Sequence, residues 1–159
     1  MAALPLAVAA TLYLAGCNGG GATTEKKNGE EAHEHEHPAH GPNGGHLIEL
    51  GKEEYHAEWV VGAGNKVTIY ILDGKGEKPV PIAAETVTIV AKDAKGEQSF
   101  DLPAVNRTTG DMPSASQFEL ESAELAGSLE TLGGENTATF KADINGKPFE
   151  EKIEPGHHH

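Results

Sequence analysis

The sequence predicts an all-β domain, an antiparallel sandwich of about seven or eight strands with one short helix. From residue 46 onward, short runs in which apolar and polar residues alternate are separated by turn-forming residues. Because alternate side chains of a strand point to opposite faces, each run would bury one face and expose the other, as in two packed sheets. A single stretch, residues 122–132, spaces its leucines as a helix does.

The first three predicted strands begin near His46, Tyr55 and Val67, and a glycine-containing turn at 62–65 separates the second from the third. The residue between Tyr55 and Ala57, His56, would point away from the core. The residues predicted to face the core are Tyr55, Ala57, Trp59 and Val61 in the second strand and Val67, Ile69 and Ile71 in the third.

The middle of the chain predicts two further strands and two loops. Residues 78–81 contain too much proline for a central strand. An inward-facing row at 87–91, a hairpin turn at 93–96 and a strand that runs through residue 102 follow. Residues 103–116 are predicted to form a loop.

A helix is predicted over 122–132, because leucines recur there three and four residues apart. Ser122 fits the N-cap position, and the glycine pair that begins at Gly133 fits the end of the helix. A helix this short must be stabilised by packing against the sheet.

The last two strands, 138–144 and 147–153, flank Asn145-Gly146, a pair that favours a type I′ hairpin turn. Pro148 indicates that the final strand lies at a sheet edge. With a strand that opens at Phe118, the elements favour an immunoglobulin-like sandwich first and a small β-barrel second.

Composition and motifs argue against several functions. The formal net charge of −13 is unsuited to nucleic acid, which requires clustered lysine and arginine. There is no G-x-S-x-G, Walker or dinucleotide-binding motif. Residues 33–37 match His-Glu-x-x-His, but Pro38 and the flanking glycines oppose the helix that this zinc chemistry requires. We therefore predict no catalytic residues and no enzymatic activity.

The N-terminus predicts export and lipidation. Residues 2–15 form an uncharged apolar run, too short to span a membrane but suited to a signal peptide. The run ends in Leu14-Ala15-Gly16-Cys17, which resembles the bacterial lipobox. The resemblance implies cleavage after Gly16, acylation of Cys17 and a membrane anchor in the bacterial cell envelope, facing the periplasm or at the outer membrane. Cys17 is the only cysteine, so no intramolecular disulfide can form.

Four segments are predicted: a signal peptide over 1–16, a lipidated His-rich tether over 17–44, the sandwich over 45–155 and a His tail over 156–159. The tether has no apolar periodicity and is rich in glycine, threonine, lysine and glutamate, so we expect it to be disordered. It ends in the turn formers Gly-Pro-Asn-Gly-Gly, residues 41–45.

Histidines cluster where the tether meets the sandwich, and Glu34 and Glu36 lie among them. Neutral imidazole binds Zn²⁺, Cu²⁺, Ni²⁺ and Co²⁺, and neighbouring carboxylates add charge and hydrogen-bond acceptors. We predict one loosely bound divalent transition metal, with Glu34, Glu36 and His56 as secondary ligand candidates. His56 also fits an ordinary surface histidine of a strand. The five predicted metal ligands are His33, His35, His37, His40 and His46.

These motifs resemble two groups of proteins. The His/Glu tract, the 41–45 segment and the strand at 46–50 are similar to the N-terminal segment of periplasmic adaptor subunits of heavy-metal efflux pumps. The same glycine-rich segment, followed by Tyr-His-Ala-Glu at 55–58, resembles small His-rich lipoproteins of planctomycete type. The adaptors' helical hairpin and lipoyl-like halves are missing from this sequence. The resemblance implies divalent metal handling beside a metal efflux or uptake system.

Two functions follow from the sequence. In the first, a lipid-anchored envelope protein binds divalent transition metals through its His-rich tract and captures, buffers or delivers them to a transporter. In the second, the sandwich is a cell-surface protein-interaction module and the tract is a solvated spacer. The two hypotheses differ in whether the imidazoles bind metal.

Overall fold

The structure, a computed structural model, describes residues 40–155. The predicted signal peptide, Cys17, most of the tether and the His tail lie outside the described residues. The described part contains eight strands, one α-helix and one 3₁₀ turn at Ala63–Asn65. The elements are β1 (His46–Leu50), β2 (Tyr55–Gly62), β3 (Lys66–Asp73), β4 (Thr86–Asp93), β5 (Gly96–Val105), β6 (Gln117–Glu121), α1 (Ala123–Glu130), β7 (Thr137–Ile144) and β8 (Lys147–Ile153).

The strands are ordered β1-β2-β3-β6-β5-β4-β7-β8, and every neighbouring pair is antiparallel. When β1 is set aside, strands β2 to β8 follow the order A-B-E-D-C-F-G of an immunoglobulin sandwich. β1 extends this order by one hairpin partner of β2. The predicted all-β, immunoglobulin-like fold with one short helix is confirmed.

β5 connects the two halves of the sandwich and corrects one sequence prediction. Its first part pairs with β4 from Gly96 to Pro103, and its last two residues, Ala104 and Val105, pair with β6. The prediction of a loop over 103–116 is therefore wrong for residues 103–105 and confirmed for residues 106–116, which lie between β5 and β6. Proline has no N–H to donate to a strand partner, and Pro103 stands where β5 leaves one partner for the other.

The core consists of the inward rows that alternation predicts. Ala57 and Trp59 of β2 are buried, and Tyr55 and Val61 pack against the same core while partly exposed. The largest side chains that are fully buried are Phe118, Phe140, Leu50, Ile69, Ile71, Leu72, Ile82, Ile89, Leu102, Leu125, Ile144 and Ile153. They come from seven strands, α1 and the β3–β4 connection, and all except Leu72 belong to a single apolar core that holds both halves together. Leu72 lies on the outer face of β3, opposite His56 of β2.

The turn and edge predictions at the C-terminus are also confirmed. Asn145 and Gly146 both have positive φ, 56° and 79°, as a type I′ turn requires. β8, which contains Pro148, ends the strand order. The missing N–H of that proline is therefore tolerated at an edge.

The helix forms where the leucine spacing predicted it, from Ala123 to Glu130. The N–H of Leu125 donates to Oγ of Ser122 over 3.2 Å, which is the predicted N-cap. Leu125 and Leu129 are buried against the sheet. The sequence signals for the start and the inner face of α1 are thus both confirmed.

We predict that Ser122→Ala lowers the free energy of unfolding by about 1 kcal/mol, because it removes the acceptor for a helix N–H that is otherwise unpaired within α1. The matched control is Ser128→Ala within the same helix, whose hydroxyl donates to the Glu124 carbonyl and caps nothing. Urea denaturation of both variants checks this; equal losses would contradict a capping role.

The loop after β3 is closed by the Asp73 carboxylate. Its Oδ1 accepts N–H bonds from Glu77 at 3.0 Å and from Lys75 and Lys78 at 3.3 Å. The bond from Glu77, followed by those from Lys78 and Lys75, holds the pKa of Asp73 below its usual value. The ionised carboxylate therefore stabilises the loop.

A group whose pKa is lowered by folding adds stability above its unfolded pKa, about 3.9 for aspartate, and loses it as the pH falls through the folded value. We expect Asp73→Asn to destabilise the protein at pH 7 and to match the wild type increasingly closely as the pH falls below about 4. Asp111→Asn, at an exposed loop position, is the control. Denaturant titrations between pH 7 and pH 3 test this; a difference that stays constant over the range contradicts it.

Candidate metal site

The segment from His40 to His46 is a β-hairpin. A single antiparallel bridge pairs His40 with His46, and the N–H of Gly41 donates to the carbonyl of Gly45 over 2.9 Å. The N–H of Gly44 donates to the carbonyl of Gly41 over 3.0 Å, and Gly44 has φ of 79°. This is the pattern of a three-residue hairpin loop that ends in a left-handed residue. The predicted turn formers thus form a defined turn.

Glu58 of β2 fixes this hairpin to the sheet. Its side chain lies on the face of β2 opposite the core, yet its exposure is 0%. Oε1 accepts the N–H of Asn43 at 2.9 Å and the N–H of Gly45 at 2.8 Å. Oε2 accepts the side-chain amide of Asn43 at 2.8 Å. Three donors compensate for the burial of one carboxylate, and bonds to a charged acceptor are the stronger kind.

Two glycines permit the hairpin to lie this close. A Cβ on Gly41 would stand 2.4 Å from Cδ of Glu58, and one on Gly45 would stand 2.3 Å from the carbonyl oxygen of Trp59. Only a residue without a side chain fits at either position. Residues 40–44, for which the sequence predicts a disordered tether, therefore belong to an ordered hairpin.

Three aromatic rings lie in a row across the strands beside this hairpin, and successive ring planes are inclined by 47° and 32°. The ring centroids of His40 and His46 are 4.9 Å apart, and those of His46 and Trp59 are 4.8 Å apart. The exposure decreases along the row: His40 is exposed, His46 is half-buried and Trp59 is 6% exposed. The hairpin thus brings two predicted metal ligands side by side, with the inner one supported by the indole.

A pocket of about 240 Å³ adjoins this stack. It lies between the start of β1, the end of α1 and the residues that follow β8. Its lining includes His46, Trp59, Leu129, Glu130, Leu132 and Pro155. The indole Nε1 of Trp59 is buried and has no hydrogen-bond partner within residues 40–155. A buried N–H donor without an acceptor is unfavourable, and the indole N–H at the inner end of this row of rings is such a donor.

The structure locates three of the eight predicted metal-site residues. His40 and His46 are neighbours, whereas His33, His35 and His37, together with Glu34 and Glu36, lie outside the described residues. The expectation that His56 is a surface residue was wrong: it is 1% exposed. The loop closed by Asp73 covers it, and the carbonyl of Asp73 accepts its Nδ1–H over 3.2 Å. A Cβ on Gly76 of that loop would stand 3.6 Å from the imidazole.

Within residues 40–155 no group of three or more His, Cys, Asp and Glu side chains is arranged to hold a metal ion. The pair of His40 and His46 supplies two ligands of the four that zinc usually takes. The described part of the chain also contains no helix of the length and apolar character that crossing a membrane requires.

Sequence reasoning missed Glu58. The alternation of β2 assigned it to the outer face, where glutamate is normally exposed. The signal lay in the segment 41–45, which contributes two N–H donors and the Asn43 amide to one acceptor. Nothing in the local pattern of β2 identifies the glutamate as that acceptor.

Neither a protein-family model, nor a curated protein, nor a solved structure matches this chain.

We predict that Glu58→Ala lowers the free energy of unfolding by about 2 kcal/mol, because two backbone N–H groups and one amide lose a charged acceptor. Amide exchange at Asn43 and Gly45 should accelerate in the variant. Glu49→Ala, which removes an exposed glutamate from β1, is the matched control and should change neither quantity. Unchanged exchange at Gly45 in Glu58→Ala would show that the carboxylate does not fix the hairpin.

Proposed function

We propose that this chain is a lipid-anchored protein of a bacterial envelope that binds a divalent transition metal through its histidines. His40 and His46 form the ordered half of the site. His33, His35 and His37 supply the remaining ligands from the tract that leads directly into the hairpin. The metal is cargo that the protein captures, buffers or delivers to a transporter, and it is Zn²⁺, Cu²⁺, Ni²⁺ or Co²⁺ by the preference of imidazole.

The observation that carries this proposal is the pairing of His40 and His46. Two imidazole nitrogens bound to one tetrahedral zinc lie about 3.4 Å apart, because each Zn–N bond is about 2.0–2.1 Å. Because each ring centre lies just beyond its nitrogen, two imidazoles bound to one zinc have their ring centroids about 5 Å apart. The centroids of His40 and His46 are 4.9 Å apart. The pair therefore requires little reorganisation to bind a metal. The tract residues must become ordered when they bind, and the entropy lost in ordering them weakens the affinity.

The hairpin explains why two histidines stand apart from the tract. Glu58 and the two glycines hold the hairpin backbone against β2, and the indole of Trp59 supports the ring of His46. A metal ion bound by the tract histidines thus reaches two further histidines on a backbone that is already held in place. Such a site favours capture and transfer, because the remaining ligands can be exchanged for those of a partner.

We expect calorimetric titration of residues 18–159 with Zn²⁺ or Ni²⁺ to give one binding event. In His40→Phe/His46→Phe it should weaken at least about 100-fold, since losing a group that only supports a ligand already weakens metal binding by about 10–100-fold. Phenylalanine keeps a ring against Trp59 but cannot bind metal, so stacking is preserved. The tract variant with alanine at 33, 35 and 37 should also weaken. A wild-type chain that binds no metal would refute the proposal and favour the spacer hypothesis.

A further inference from the structure

An apolar pocket adjoins the histidine pair, and His46 belongs to both. The ring centroids of His40 and His46 are 4.9 Å apart, and His46 also lines the pocket of about 240 Å³. Most of the other lining residues are apolar: Trp59, Val61, Leu129, Leu132 and Pro155. A hydrated metal ion gains nothing from an apolar wall, because the water molecules around it are polar. The wall therefore favours a ligand that carries apolar surface beside the metal.

The histidine pair leaves two positions of a tetrahedral zinc for other ligands. His40 and His46 supply two nitrogens, and within residues 40–155 no third His, Cys, Asp or Glu side chain is placed to join them. In the proposed function, tract histidines fill these positions when the protein binds a bare ion. A bidentate chelator also fills them, because it carries two donor atoms at the spacing that one metal requires. A chelator whose donors belong to aromatic rings brings apolar surface for the pocket as well.

Charge and size restrict the ligand further. A complex of Zn²⁺ with a neutral chelator carries two positive charges, whereas Glu130, which is exposed and lines the pocket, is negative. The chain as a whole has a net charge of −13, so it attracts such a cation. A cavity of about 240 Å³ lies below the range of about 300–1,000 Å³ that is typical of drug-sized ligands. The pocket therefore fits one or two aromatic rings that carry a positive charge.

We propose that this site takes its metal as a complex with a small aromatic chelator, whose rings occupy the pocket while the metal binds His40 and His46. The inference rests on the proposed function for the metal step and adds the chemical form in which the cargo arrives. On binding, two water ligands leave the metal, two imidazole nitrogens take their places, and both bonds from the metal to the chelator persist. The tract and the chelator are thus alternative sources of the same two ligands.

The experiment titrates residues 18–159 with Zn²⁺ alone and with the one-to-one complex of Zn²⁺ and 2,2′-bipyridine. In the tract variant with alanine at 33, 35 and 37, the bare ion loses ligands, whereas the complex supplies its own. This variant should bind the complex at least about 10-fold more tightly than the bare ion, since losing even a group that supports a ligand weakens metal binding by about 10–100-fold. Nuclear Overhauser effects should join bipyridine protons to methyl groups of Leu129 and Leu132. Equal affinity of the tract variant for both forms would overturn the proposal.

Two leucine variants test the pocket. Leu132→Ala and Leu120→Ala remove the same atoms from half-buried leucines that pack against the core, but only Leu132 lines the pocket. Leu132→Ala should lower the ratio of complex affinity to bare-ion affinity at least about fourfold, the effect of one buried methylene group. Leu120→Ala should leave this ratio unchanged, and an equal fall in both variants would contradict a role for the pocket. The 4,4′-dicarboxylate of bipyridine has the same donors with two added negative charges, and its complex should lose the preference.

The outcomes separate this inference from the proposed function. If the wild type binds bare Zn²⁺ but not the complex, the chelator proposal is overturned and the proposed function stands. If His40→Phe/His46→Phe binds the complex as tightly as the wild type does, the pair does not hold the metal, and the chelator proposal is again overturned. A wild type that binds neither form refutes both. Binding of the complex that depends on Leu132 and on the histidine pair supports the inference.

Discussion

The carboxylate of Glu58 is the contact on which the arrangement of the candidate site depends. It is fully buried on the outer side of β2, and the donors that compensate for its burial all belong to the hairpin at 41–45. Without the hairpin, the buried carboxylate of Glu58 would lose its hydrogen-bond donors. Without the carboxylate, the donors of the hairpin would lose their acceptor. Each therefore depends on the other. His40 and His46 are neighbours because this contact closes the turn between them.

The outer face of β2 is organised by two loops. The hairpin covers Glu58, and the loop closed by Asp73 covers His56, so a face that would otherwise be solvated is buried along much of its length. The inner face contributes Trp59 to the core. β2 is thus covered on both sides, and the imidazole of His46 lies against the indole of its Trp59. In the function we propose, this strand positions the histidines at one side of a metal that tract residues bind from the other.

Most of the fold could be predicted from the sequence because its determinants are local. Alternation identified the inward rows, Asn145-Gly146 the last hairpin and Ser122 the start of α1, each through interactions that span only a few residues. The burial of His56 and Glu58 could not be predicted, because their hydrogen-bond partners in the covering loops lie 13 to 17 residues away along the chain. Alternation carries no information about a second layer. The course of β5 beyond Pro103 also depends on a distant partner, β6.

The candidate site could likewise be predicted only in part. The residue types that bind metal could be identified from composition, and the sequence contained the glycines of the hairpin. The stack of His40, His46 and Trp59 depends on the register between β1 and β2, which pairs His46 with Trp59, and on the bridge that adds His40. Register is a property of the assembled sheet, so a reading of single strands cannot supply it.

The course of β5 has a mechanical consequence for the whole domain. β5 is one continuous strand that pairs first with β4 and then with β6. The two halves of the sandwich are therefore joined by unbroken backbone on that side. β1 and β8, the two ends of the strand order, contact each other on the opposite side, where the N–H of Gly51 donates to Oε1 of Glu151 over 3.3 Å. The two halves are therefore held together on both sides, by one continuous strand at β5 and by the contact of β1 with β8 on the side that contains His46.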